Sequence, residues 1–106
     1  PEQVRTAPAV QFFANAMMNP RIVKGLLCHG LWLLTPMPEL LKNRRVTCHE
    51  VVLADIVNAG AIYVPSSTNV VVDGDLVTGR SGGDVEAFIH AIAHQIAQVD
   101  QGQPLL

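Results

Sequence analysis

The sequence predicts one layered α/β domain in which short buried strands alternate with helices. Three observations carry that prediction. Two stretches, 9–18 and 85–99, repeat apolar residues at helical spacing, and short apolar runs lie between them. Val70 to Thr78 sets two β-branched runs around Asp73-Gly74, a hairpin signature. A chain of 106 residues, 49% hydrophobic and 15% charged, can bury one core and has no room for two.

The elements follow in order. Pro1 to Pro8 is polar and irregular and reads as a loop. Val10, Phe13, Ala14 and Met17 mark a helix over 9–18, which Asn19-Pro20 stops because proline offers no amide and disfavours a helical predecessor. Ile22 to Cys28 is too short and too apolar for a surface helix and reads as a buried strand. Gly30 to Leu34 reads as one or two helical turns, and Glu39 to Lys42 as another short turn. Arg45 to Cys48 is read as a strand, and Val51 to Asn58 as a helix closed by Ala59-Gly60. Ser81 to Asp84 is a glycine-rich turn in which Asp84 caps or starts the last helix. In that helix Val85, Phe88, Ile89, Ile92 and Ile96 form one apolar stripe.

Composition excludes several functions. Seven basic residues against nine acidic ones give a net charge of −2, and Arg44-Arg45 is the sole basic doublet. Nucleic acid binding needs a cationic track that this chain lacks. No apolar run approaches the roughly 20 residues of a membrane-spanning helix, and no signal-peptide pattern opens the chain. Two cysteines are too few for a disulfide scaffold and point to a reducing, cytoplasmic setting.

The chemistry concentrates in Gly25-Leu26-Leu27-Cys28-His29-Gly30. A buried strand runs into one cysteine, glycine follows two places on, and helical turns come next. That is the layout of a nucleophile elbow. A sharp turn there exposes the side chain, and the amides that follow, including that of Gly30, can point at a reacting oxygen. A helix N-terminus behind the cysteine favours thiolate over thiol. The bland alternative is an inert buried thiol, the commonest fate of a free cysteine.

Other constellations are weaker. Cys28-His29 and Cys48-His49 suggest zinc, but pairs of adjacent residues at strand ends diverge, so no metal and no cofactor is expected. A redox link between the two thiols stays open if both lie at one sheet edge. Glu86, His90 and His94 share the face opposite the apolar stripe and read as solvated surface. Trp32 reads as packing beneath the turn after Cys28. Arg80-Ser81-Gly82-Gly83 lacks the phosphate-loop lysine and reads as a turn.

Longer stretches carry a resemblance. Pro1-Glu2-Gln3-Val4-Arg5, then Leu27 to Leu34 with Cys28-His29-Gly30, then Leu40 to Thr47, Asp55 to Ala61, Val70 to Arg80 and Asp84 to Phe88 occur in the order and spacing of the ThiJ/PfpI family. This family lies within the class I glutamine amidotransferase-like superfamily, and the resemblance covers roughly Pro1 to Ala97. It implies a flavodoxin-like three-layer α/β sandwich with a largely parallel sheet and the reactive cysteine on the elbow. It also implies that 1–106 is a single unit equivalent to the C-terminal part of a longer domain. The family's first strands, its glycine pair and its acidic partner belong upstream or to a neighbouring subunit.

The implied function is that of a cysteine-dependent hydrolase or hydratase, with peptidase, deglycase or glyoxalase-like and isonitrile hydratase activities all represented. Cys28 would be the nucleophile, His29 its base and Gly30 part of the oxyanion site. Small electrophilic substrates or peptides are the expected partners, in a homodimer or larger homo-oligomer. The alternative is a stress-response or redox-sensing module with little catalysis. The chain departs from the family at His49, where an aromatic, commonly tyrosine, is usual. His49 and Glu50 are therefore candidates to border the pocket, with His49 approaching from the side and Glu50 a possible orienting acid.

Overall fold

The computed structural model describes residues 8–103, so the expected loop at Pro1 to Pro8 falls, apart from Pro8, outside the described residues. Helix α1 spans Pro8–Met17 and buries Val10, Ala14, Ala16 and Met17. Strand β1, Lys24–Leu27, is shorter than the sequence reading, because Ile22 is half exposed and Cys28 leaves the strand in a left-handed conformation. It pairs in parallel with β5, Leu76–Gly79, from Lys24↔Leu76 to Leu27↔Gly79. Strand β4, Val70–Asp73, pairs antiparallel with β5. Sheet order is β1-β5-β4, so the second arm of the hairpin is central and all four of its residues are buried. The hairpin tip is Gly74-Asp75, with glycine at φ 58° and aspartate on the negative side. That is the signature of a type II′ turn, which demands glycine at its first position.

A second parallel pair joins β2, Arg45–Val46, to β3, Ile62–Tyr63. The expected strand at Arg45 to Cys48 ends early for a definite reason. The Thr47 N–H donates to the Thr78 side chain at 2.9 Å and the His49 N–H to the Cys28 carbonyl at 3.2 Å, so neither continues a ladder. Between the strands of this pair a 3₁₀ turn at Glu50–Val52 leads into helix α2, Leu53–Asn58. Gly60 then reverses the chain at φ 92°.

Helix α3, Val85–Asp100, covers one face of the larger sheet. It begins after a reciprocal cap: the Ser81 N–H and hydroxyl donate to the Asp84 carboxylate at 3.1 and 2.8 Å, and the Asp84 N–H donates back to Ser81 at 3.0 Å. Its approach depends on two glycines. A Cβ on Gly25 would lie 2.5 Å from Ile92, and one on Gly79 3.0 Å from Phe88, both inside van der Waals contact. The apolar stripe is therefore only partly used. Phe88 and Ile92 meet the sheet at its two glycines, while Val85, Ile89 and Ile96 stay exposed. The helix's one fully buried side chain is Gln95, which donates to the Gly74 carbonyl at the hairpin tip.

The main core lies on the other face. Leu26 of β1 points there and packs with Val10, Ala14 and Met17 of α1, Leu31, Leu34, Leu41, Val52 and Ile56. Helix, sheet and helical layer form three layers. At the amino end of β1 a charged network closes the fold. The buried Lys24 ammonium donates to the Asn19 carbonyl and pairs with Asp75, and Arg44 bridges Asp73 and Asp75 at 2.8 and 2.9 Å. Burial raises the Asp73 carboxyl, but the bonds from Arg44 and the Arg45 N–H and the two nearby guanidinium charges outweigh it, so it lies below its usual range.

Candidate active site

Cys28 sits at the carboxyl end of β1 at φ 62°, a region in which non-glycine residues are uncommon. The position is held from both sides. The Cys28 N–H donates to the Gly79 carbonyl at 2.8 Å, and the Cys28 carbonyl accepts from His49 N–H. These two bonds fix the bend and leave the side chain half exposed. Gly30 follows where a Cβ would come 3.1 Å from the Leu26 side chain, which keeps the turn tight.

His29 Nδ1 lies 3.0 Å from Cys28 Sγ. The thiol can donate to the ring, or a protonated ring can donate to the thiolate, so the pair can pass one proton between them. The helix behind the cysteine is only a 3₁₀ segment, Gly30–Leu33. One such turn carries little of a helix dipole, and the group in hydrogen-bond contact with the sulfur is His29 Nδ1.

Two rings contact the His29 imidazole. His49 is stacked on it, with centroids 4.7 Å apart and planes 26° from parallel. Trp32 lies at 5.2 Å and is tilted. The sequence reading of Trp32 as packing beneath the turn is corrected: the residue is 42% exposed. The reason is its indole N–H, which donates to Asp55 Oδ2 of α2 at 2.8 Å and pulls the ring to the surface beside His29. The Trp32–Asp55 contact carried no sequence signal, because the two residues lie 23 positions apart along the chain.

The other candidates separate. His49 is brought to Cys28-His29, and its Nδ1 accepts the Val51 N–H at 3.2 Å as the cap of the Glu50–Val52 turn. Histidine is not among the preferred capping residues, so this role was not visible in the sequence. Glu50 is exposed, and among the described residues its carboxylate makes no hydrogen bond or ion pair with either imidazole. Cys48 is buried, and burial pushes its thiol up to about 11, with nearby Arg80 pulling the other way. His90 and His94 lie exposed on α3, where His94 contacts Gln95 and Gln98. Among the described residues no group of three or more histidines, cysteines or acids converges to hold a metal ion, and no helix is long and apolar enough to cross a membrane.

The profile of the DJ-1/PfpI family matches residues 1–95. YraA of Bacillus subtilis, provisionally named a cysteine protease, is 33% identical over 88 residues, covering 83% of this chain and 50% of that protein. Deglycase PfpI of Pyrococcus furiosus is 32% identical over 89 residues, covering 84% of this chain and 52% of the other. The chain thus spans about half the length of the curated relatives it matches. Among solved structures, a two-domain Anabaena variabilis protein with DJ-1/ThiJ/PfpI-like and ferritin-like domains superposes with a TM-score of 0.77 at 34% identity, over 92% of this chain and 27% of that one. Schizosaccharomyces pombe DJ-1 superposes with a TM-score of 0.67 at 19% identity, covering 95% of this chain and 55% of its own, and shares the fold. The layered α/β architecture with its mostly parallel pairing is the flavodoxin-like one, and the chain belongs to the DJ-1/PfpI family.

Proposed function

We propose that the protein is a cysteine-dependent hydrolase or hydratase in which Cys28 is the nucleophile of an elbow and His29 its base. One observation carries the reading: a cysteine held at φ 62° with its sulfur 3.0 Å from an adjacent imidazole nitrogen. Strained backbone and a nucleophile–base pair at the end of a buried strand are features that catalytic turns share. The relatives named as cysteine protease and deglycase support the class without selecting the substrate.

An acyl substrate would pass through a thioester on Cys28. His29 Nδ1 takes the Cys28 proton, and the thiolate adds to the carbonyl carbon as the C=O pair moves onto oxygen. The N–H groups of His29 and Gly30 stand at the start of the turn as candidate donors to that oxygen. Collapse expels the leaving group, which receives the proton from His29. Water then gives a proton to His29 as its oxygen adds to the thioester carbon, and collapse breaks the C–S bond, the Cys28 thiolate taking that proton back from His29. Small electrophilic carbonyl compounds suit a half-exposed cysteine on a shallow turn better than long peptides do. We place the protein in the cytoplasm, where both thiols stay reduced, and as a homodimer or larger assembly, which light scattering on the purified protein tests.

The function is tested with a panel of peptide, α-oxoaldehyde-derived and isonitrile substrates assayed on wild type and Cys28→Ala. Turnover of at least one class, lost in the variant, is the expected result. No turnover of any class, together with rapid peroxide oxidation of Cys28, would favour the sensing module instead.

A further inference from the structure

We infer that His49 is a positioning residue: its imidazole, fixed in one tautomer by the Val51 amide, backs the His29 ring and holds it against the Cys28 thiol. The inference rests on the Cys28–His29 reading above and adds what orients the base.

A base beside a nucleophile needs a third group to hold its ring, and in most such sites that group is a hydrogen-bonded carboxylate. Among the described residues no carboxylate hydrogen-bonds to His29, and the family resemblance puts the acid upstream or on a neighbouring subunit. Within this chain the ring meets His49 at 4.7 Å and Trp32 at 5.2 Å. Both neighbours are tied to the same stretch of chain. His49 is held by Val51 in the turn that leads into α2, and Trp32 by Asp55 within α2. The start of α2 therefore anchors both aromatic walls around the base.

The tautomer follows from the donor. A backbone N–H can only donate, so His49 Nδ1 must offer its lone pair, and the proton of the neutral ring resides on Nε2. While that bond holds, the ring facing His29 carries no charge. An uncharged π-face can back an imidazolium, which forms when His29 takes the thiol proton, without charge repulsion. A tyrosine at this position would supply the face without the capping nitrogen. Histidine supplies both.

Two substitutions separate these properties. His49→Asn keeps an acceptor for Val51 and removes the ring, since asparagine is a favoured capping residue. His49→Phe keeps a ring and removes the acceptor. The reading is the second-order rate of iodoacetamide labelling of Cys28 in the full chain at neutral pH, by peptide mass spectrometry. The expected result is a roughly two- to tenfold slower rate in His49→Asn, the range set by loss of one aromatic contact, and recovery of most of that loss in His49→Phe. A wild-type rate in His49→Asn, or no recovery in His49→Phe, overturns the inference. His29→Ala is the control for the underlying reading: if it leaves the rate unchanged, the Cys28–His29 pair itself is wrong. Should either variant fail to fold, a two-bond ¹H–¹⁵N spectrum of the wild-type protein still decides. His49 as the Nε2–H tautomer supports the proposal, and the Nδ1–H tautomer overturns it.

Discussion

The β1–β5 pair carries polar groups at both ends, and the two ends use them in opposite ways. At the amino end, Lys24 is buried and paired with Asp75, and Arg44 closes the gap between Asp75 and Asp73. Lys24 is 3% exposed, and no buried side-chain nitrogen or oxygen among the described residues lacks a partner. At the carboxyl end, four residues further along and just past the end of the strand, Cys28 is forced into left-handed backbone and half exposed beside a solvent-facing His29. Its partners are rings and one sulfur–nitrogen contact rather than ion pairs. Saturated networks resist change, and strained, half-open ones react. The difference predicts that stability and reactivity separate along a single short strand.

The sharpest break of that separation comes from His29→Ala. It should lower kcat/KM by roughly 10²–10⁴-fold, the range for loss of a general base, with an unfolding midpoint within about 0.5 kcal/mol of wild type. Steady-state kinetics and urea titration measure the two arms. A large loss of stability would show that the carboxyl end also holds the fold.

Lys24→Met makes the converse case. Removing the ammonium leaves the Asp75 carboxylate buried beside Arg44 alone, which should destabilise by about 3–5 kcal/mol. The labelling rate of Cys28 in the fraction that remains folded should not change. If that rate falls with stability, the two ends are coupled.

How much of this was legible in the sequence depends on how far apart the partners lie. Cys28 and His29 are neighbours, and Val70 to Thr78 encodes its own turn, so both could be read directly. Strand β3 could not: Ile62 and Tyr63 are two residues with no alternation to register, and their order comes from the pairing with Arg45 and Val46. The α3 stripe correctly marked a helix but not its burial, which Gly25 and Gly79 decide from the sheet side. Trp32 and Asp55 meet through folding alone, and histidine at position 49 gave no hint of its capping role.

Acid titration sharpens the comparison further. The Asp73 carboxyl lies below its usual range in the folded protein, so its contribution is present above the unfolded value near 4 and is lost as pH falls through the folded value. Stability should fall below about pH 4, by about 1–3 kcal/mol for this group's charge-assisted bonds. Asp73→Asn should flatten that part of the profile. A profile unchanged in the variant would assign the acid sensitivity elsewhere.

A smaller effect is expected at the α3 entrance. Ser81→Ala removes the hydroxyl of the reciprocal cap and should cost about 1 kcal/mol, read as a shifted urea midpoint with Cys28 labelling unaltered. A change in labelling there would mean that the turn after β5 helps shape the reactive end.

The central claim, that reactivity is confined to the carboxyl end of β1, has a direct test in the two cysteines of one molecule. Limiting iodoacetamide at neutral pH, followed by peptide mass spectrometry, gives both labelling rates in the same sample. Cys48 is 1% exposed, with its thiol pushed up to about 11 by burial, and should label at least 100-fold more slowly. Cys28 labelling first and nearly alone is the result the account predicts. Equal rates, or Cys48 ahead of Cys28 in the folded protein, would contradict it.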